Sequence, residues 1–217
     1  MAVRSEDGNT GGWDVLSMSR ELTIAFMGFA VAAFYTPGPN NIMLLSSGLN
    51  YGFRRTLPHI AGITLGFAFL VLIVGLGMGA VFSTHPLLQT VLKYAGAAYL
   101  LYLAIVIALA KPTGPEKESS GRPMTFLGAA AFQWINVKGW VIVAGTITAY
   151  AAIAPYPWNM IILASLSLLV GLTSSTTWAF FGTAMQPIVS SPRSVRVFNI
   201  VMALLLMASL YPVLTEG

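Results

Sequence analysis

The stretch that decides the fold runs from residue 22 to 50, LTIAFMGFAVAAFYTPGPNNIMLLSSGLN. Its first fifteen residues, 22–36, are apolar except for Thr23 and Thr36. At the rise of an α-helix they reach only about 22 Å, short of a hydrocarbon core of about 30 Å. The block Pro37-Gly38-Pro39-Asn40-Asn41 therefore falls inside the apolar layer, and the chain turns apolar again behind it. As one straight helix the stretch would exceed about 40 Å, too long without strong tilt. Pro37 and Pro39 remove two backbone donors and Gly38 loosens the chain. Carbonyls of the first half-helix and amides of the second are left without intrahelical partners. Such groups cannot face lipid, but they are tolerated where they line a polar cavity, and a half-helix N-terminus there attracts an anionic group. The simpler alternative is a proline kink satisfied by neighbouring helices, which gives no reason for two adjacent asparagines.

Composition agrees with that reading across all 217 residues: 56% are hydrophobic and only 8% charged, against about a quarter charged in soluble domains. The mean hydropathy is +0.77. Cysteine is absent, which excludes thiolate metal sites and cysteine nucleophiles. The net charge of +4 is dispersed over short loops and forms no nucleic-acid patch, so it reads as membrane topology.

Six apolar segments approach the length of a span: about 22–49, 58–82, 87–110, 124–153, 158–185 and 195–214. The second is expected to begin at Pro58, a favourable first helical position. Arg54 and Arg55, then Lys111, Lys117 and Arg122, then Arg193 and Arg196 lie in alternate connections, whereas 83–86 (STHP) and 154–157 (APYP) carry no Lys or Arg. The positive-inside rule then places loops 50–57, 111–123 and 190–196 in the cytoplasm and both termini outside. Residues 1–19 read as a disordered tail ahead of a single membrane unit, 20–217. A signal peptide around Arg20 is the competing reading of the N-terminus, and the acidic residues before Arg20 speak against it.

Span four carries a second polar cluster, AFQWINVKGWVIV at 131–143. A helix from Met124 would set Gln133, Asn136 and Lys138 about 14 to 21 Å deep, beyond what snorkelling readily rescues. An ionisable group there is a functional-site hypothesis by default. On a regular helix Asn136 and Lys138 point about 200° apart. Either the helix breaks near 137–139, or Lys138 is a cytoplasmic-side charge and the membrane begins near Gly139. Interrupted helices in the first and fourth of six spans suggest two three-helix halves related by inversion, with a transport site between them.

The stretches TPGPNNIMLLSSGLNYGFRRTLPHIAGITLG (36–66), YAGAAYLLYLA (94–104) and QWINVKG (133–139) resemble signature regions of the LysE/RhtB family of bacterial amino-acid exporters. The first and third are most similar to its cysteine/O-acetylserine branch. The resemblance runs from about Ala25 to Tyr211. It implies an inner-membrane carrier exporting a small amino acid, with the first-span motif on Pro37, Gly38, Pro39 and Asn40 and the fourth-span motif on Asn136 and Lys138. Val137 stands where that family has a proline, which removes the expected helix breaker.

No Asp or Glu lies within a predicted span, so a carboxylate proton relay is lacking. Proton coupling, if it operates, falls to Lys138 or to His59, which otherwise reads as an interfacial residue. The substrate carboxylate is assigned to Asn40 and Asn41 with Lys138 nearby, and its ammonium to the carbonyls freed by the prolines. A neutral zwitterion of the cysteine, O-acetylserine or threonine/homoserine type fits better than a doubly cationic one. The hydroxyl run Thr173 to Thr177 either lines the path or bonds back to its own helix. Gly62-x-x-x-Gly66 and Gly75-x-x-x-Gly79 allow close helix approach, within one bundle or between two copies in a homodimer. Enzyme motifs are missing, and the chemistry calls for no cofactor, metal or nucleic acid. An accessory membrane subunit, or a carrier of another small solute, is the alternative.

Overall fold

The computed structural model describes residues 10–78, 84–109, 122–189, 191–209 and 211, and all its regular structure is helical. The α-helices are α1 (Thr10–Tyr35), α2 (Pro39–Tyr51), α3 (Phe53–Ile73), α4 (Pro86–Leu109), α5 (Phe126–Phe132), α6 (Val137–Tyr150), α7 (Trp158–Ala184) and α8 (Pro192–Ala208). A π-turn, Val74–Met78, continues α3, and a 3-10 turn, Ala151–Ile153, continues α6. Among the described residues, two helices are long and apolar enough to cross a membrane, or up to four if each bent pair is one span.

Both helices are interrupted, the second at 133–136, just ahead of the 137–139 stretch where the sequence left a break open. Helices α1 and α2 meet at 56° across Thr36-Pro37-Gly38, and α5 and α6 meet at 64° across 133–136. Pro39 opens α2 behind an extended Gly38, as suits a residue with no N–H to give. The second break needs no proline. Three successive amides, Gln133, Trp134 and Ile135, turn back to carbonyls three residues earlier and wind α5 to a stop. Asn136 then starts α6 in an extended conformation. The indole N–H of Trp140 donates to the carbonyl of Trp134 in the break, at 2.8 Å.

Helix α3 begins at Phe53, not at Pro58, which lies inside it. Gly52, at φ 79°, reverses the chain in one residue, and its amide closes α2 on the carbonyl of Gly48. Arg54 and Arg55, expected in a loop, are thus in the first turn of α3. Thr56 secures the corner by bonding the Gly52 carbonyl and the Ser47 hydroxyl, each at 2.9 Å. Segment 10–19, read as part of a tail, forms the start of α1; residues 1–9, most of the 111–123 loop and Gly79 fall outside the described residues.

Helix α7 is the hub, packing on α2 and α3, while α3 also packs on α5 and α4 on α8. Phe26, Phe67, Leu70, Val143 and Leu163 form one core between α1, α3, α6 and α7. A second, with Ile42, Leu100, Phe132 and Leu206, joins α2, α4, α5 and α8. Large apolar side chains such as Leu65, Phe69, Leu127, Phe180 and Leu204 face outward, a surface suited to lipid. Where the surroundings are themselves apolar, close backbone packing and hydrogen bonds hold helices together. A β-carbon on Gly48 would strike the carbonyl of Ala179, and one on Gly182 the carbonyl of Leu45, so α2 and α7 touch backbone to backbone. Gly62 and Gly66 do the same for α3 against Phe126 and Ala130 of α5, which puts that motif to use within the bundle.

Candidate functional site

The two breaks face one another across a small chamber lined by Gly38 with Pro39, Asn40 and Asn41 at the start of α2, and by Asn136 with Lys138 and Gly139 at the start of α6, with a cavity volume of about 30 Å³. Each of these half-helices arrives by its N-terminus. The first intrahelical bond of α2 is Ile42 N–H to Gly38, and that of α6 is Trp140 N–H to Asn136. The amides of Asn40 and Asn41, and those from Val137 to Gly139, therefore precede the helical ladder. Two positive dipole ends and the Lys138 ammonium bear on one small space, which is an arrangement for an anion.

On the α1 side the carbonyls of Phe34, Thr36 and Pro37 are engaged. Asn41 Nδ2 donates to Phe34 at 2.9 Å and to Thr36 at 3.0 Å. Ser174 of α7 donates to the same Phe34 carbonyl at 2.8 Å. Lys138 Nζ donates to the Thr36 carbonyl and, at 3.5 Å, to that of Pro37. The half-buried lysine thus reaches from one broken helix onto the end of the other. Gly38 lets it do so, because a β-carbon there would lie 2.7 Å from Lys138 Cδ and 2.9 Å from Nζ.

The remaining expected site residues divide by role. Asn40 and Gln133 form a reciprocal amide pair, with Asn40 Nδ2 to Gln133 Oε1 at 2.9 Å and Gln133 Nε2 to Asn40 Oδ1 at 3.2 Å. Gln133 also donates to Ala129 and is fully buried, outside the chamber; it clamps Asn40. Asn136 is 2% exposed and its Oδ1 has no partner, although it lines the chamber. Pro37 is exposed, outside the chamber lining, and contributes only its carbonyl. His59 is 2% exposed on α3, neither ring nitrogen has a partner, and it lines no part of the chamber.

A second chamber, of about 20 Å³, adjoins the first and shares Phe34, Asn40, Asn41 and Phe67 with it. Phe34 and Phe67 pack edge to face with ring centres 5.0 Å apart. Ile63, Thr64, Ser167, Gly171, Ser174 and Ser175 complete the lining. The hydroxyl run of α7 is therefore split: Ser174 and Ser175 face the chamber, while Thr173 and Thr177 bond back to Val170 and Thr173. Sequence reasoning missed Thr64, Ser167 and the phenylalanine pair. The signal was there for Ser167, because Ser167, Gly171 and Ser174 recur at i, i+4 and i+7 as a small-residue face on an apolar span.

Broken half-helices that aim free backbone groups into a cavity within an apolar bundle define a membrane translocator. The chain belongs to the LysE type translocator family, which it matches over residues 31–209. It is similar to the cysteine/O-acetylserine efflux proteins of Escherichia coli (strain K12) and Shigella sonnei (strain Ss046), each 34% identical over 197 residues, covering 87% of this chain and 95% of theirs. It is accordingly a membrane protein. No solved structure matches it.

Proposed function

We propose that the chain is an inner-membrane secondary transporter, not an enzyme, that exports a small neutral amino acid or derivative of the cysteine, O-acetylserine or threonine/homoserine type. One observation carries this reading: two half-helix N-termini and the Lys138 ammonium converge on the chamber whose other wall is the carbonyl end of α1. A carboxylate suits the amides of Asn40, Asn41 and the first turn of α6, with Asn136 and Lys138 beside them. An α-ammonium suits the carbonyls of Thr36 and Pro37, where Lys138 stands in for it when no substrate is bound. When an amino acid enters, Lys138 leaves those carbonyls for the carboxylate. Each ammonium thereby keeps an oxygen partner throughout, as a charge in a low-dielectric site requires.

This reading extends the sequence expectations to six spans in two inverted halves, α1 to α4 and α5 to α8. Support comes from both halves opening with a bent helix whose second part points its N-terminus at the same chamber. It also keeps the basic connections in the cytoplasm and both termini outside. The relatives' printed function agrees with the substrate class. A purely structural subunit has no use for a lysine laid across a helix break.

The test is counterflow in proteoliposomes with labelled cysteine, O-acetylserine, threonine, leucine and lysine. Exchange of a neutral amino acid is expected, with lysine, a dication, poorly exchanged. Asn40→Ala and Lys138→Met should each lower exchange at least about tenfold, as loss of a charge-assisted contact implies. Exchange unaffected by Lys138→Met would remove the lysine from the site, and a parent protein that exchanges no amino acid would refute the proposal.

A further inference from the structure

The second chamber contains a hydroxyl that the fold leaves unused. Ser167 is 1% exposed and its Oγ has no hydrogen-bond partner, whereas Ser174 and Thr64 beside it are bonded to the carbonyls of Phe34 and Ile60. Buried hydroxyls are ordinarily paired, and this one lines a cavity of about 20 Å³ with both polar and aromatic walls, room for about one water.

From this geometry we infer that the Ser167 chamber is the subsite for the substrate's side chain, with Ser167 as the residue that reads it. The inference rests on the exporter reading above, which sets the carboxylate and ammonium in the neighbouring chamber. Asn40, Asn41, Phe34 and Phe67 line both spaces. A ligand held by its backbone groups in the first can therefore reach the second with a short side chain alone. Size and chemistry then select the class. The space admits a side chain of one or two heavy atoms beyond the β-carbon. It favours a hydroxyl or thiol that replaces the water and pairs with Ser167. An apolar side chain of equal size leaves the serine buried and unpaired and is disfavoured. A γ-branched or aromatic side chain meets the Phe34–Phe67 pair.

The purified full-length protein in proteoliposomes tests this with two near-isosteric pairs, threonine against valine and serine against alanine. The parent is expected to favour the hydroxylated member of each pair. Ser167→Ala should lower the threonine-to-valine ratio about tenfold while exchange continues, since the penalty on valine disappears together with the bond to threonine. A second variant guards against a folding defect. A β-carbon at Gly171 would meet only Phe34 and Thr64, at 3.7 and 4.0 Å, ordinary contact distances. Gly171→Ala should therefore fold, narrow the chamber, and lower threonine exchange several-fold relative to serine. Either ratio left unchanged in a variant that exchanges amino acids overturns the subsite but leaves the exporter reading standing. Failure of the parent to exchange any amino acid overturns both.

Discussion

Lys138 owes its place to a glycine on another helix. Because Gly38 leaves the ammonium room to lie on the Thr36 and Pro37 carbonyls, Gly38→Ala should push the lysine off them. The displaced atoms belong to a flexible side chain, so the fold should survive. Exchange is expected to fall at least about tenfold with the thermal midpoint in detergent little changed, and a midpoint that collapses along with exchange would contradict this. Asn50 and Asn199 join α2 to α8 through reciprocal amide bonds of 2.8 and 3.2 Å in a fully buried setting. Either asparagine replaced by alanine leaves the other underpaired, at about 1–3 kcal/mol. The double variant should cost less than the sum, a coupling that chemical unfolding of all four proteins measures. At this scale the sequence disclosed Lys138 and the first asparagines, because an ion and a proline-glycine block are anomalous in an apolar run. It could not disclose that Gln133 clamps Asn40 or that Ser167 is unpaired, since both depend on partners far away in the chain.

Helices α2 and α7 touch through glycines at Gly48 and Gly182. Gly182→Leu drives a side chain into the Leu45 carbonyl, an overpacking that typically costs about 1–3 kcal/mol or more. By contrast, a β-carbon at Gly28, in α1, meets nothing within 4 Å. Gly28→Ala should raise stability by up to about 1 kcal/mol, as expected for alanine in a helix interior. Thermal unfolding in one detergent ranks the two variants, and the reverse order would contradict the packing account. Proline made the first break legible from sequence. The second was left open, because with Val137 in place of a proline the stop depends on three-residue turns and on Trp140 reaching back to Trp134. The start of α3 was misplaced for a related reason: a favourable proline position competes with a glycine whose positive φ turns the chain sooner.

For the molecule as a whole, the absence of cysteine makes orientation measurable without a background. Single thiols at the exposed positions Arg193 and His85 should react with an impermeant maleimide from opposite sides, Arg193→Cys from the cytoplasm and His85→Cys from outside. Labelling of both from one side would defeat the proposed topology. Packing also differs on the two sides of the broken site. On the side of α2 and α5, glycine backbones meet carbonyls at Gly48, Gly62, Gly66 and Gly182. On the other side the contact is between rings, with Phe26 and Phe29 of α1 against Tyr150 of α6 at 5.2 and 5.5 Å. Rings can swing aside one at a time, through small rotations. Main chain laid on main chain has no side chain to rotate, so parting those helices requires that they slide as whole bodies.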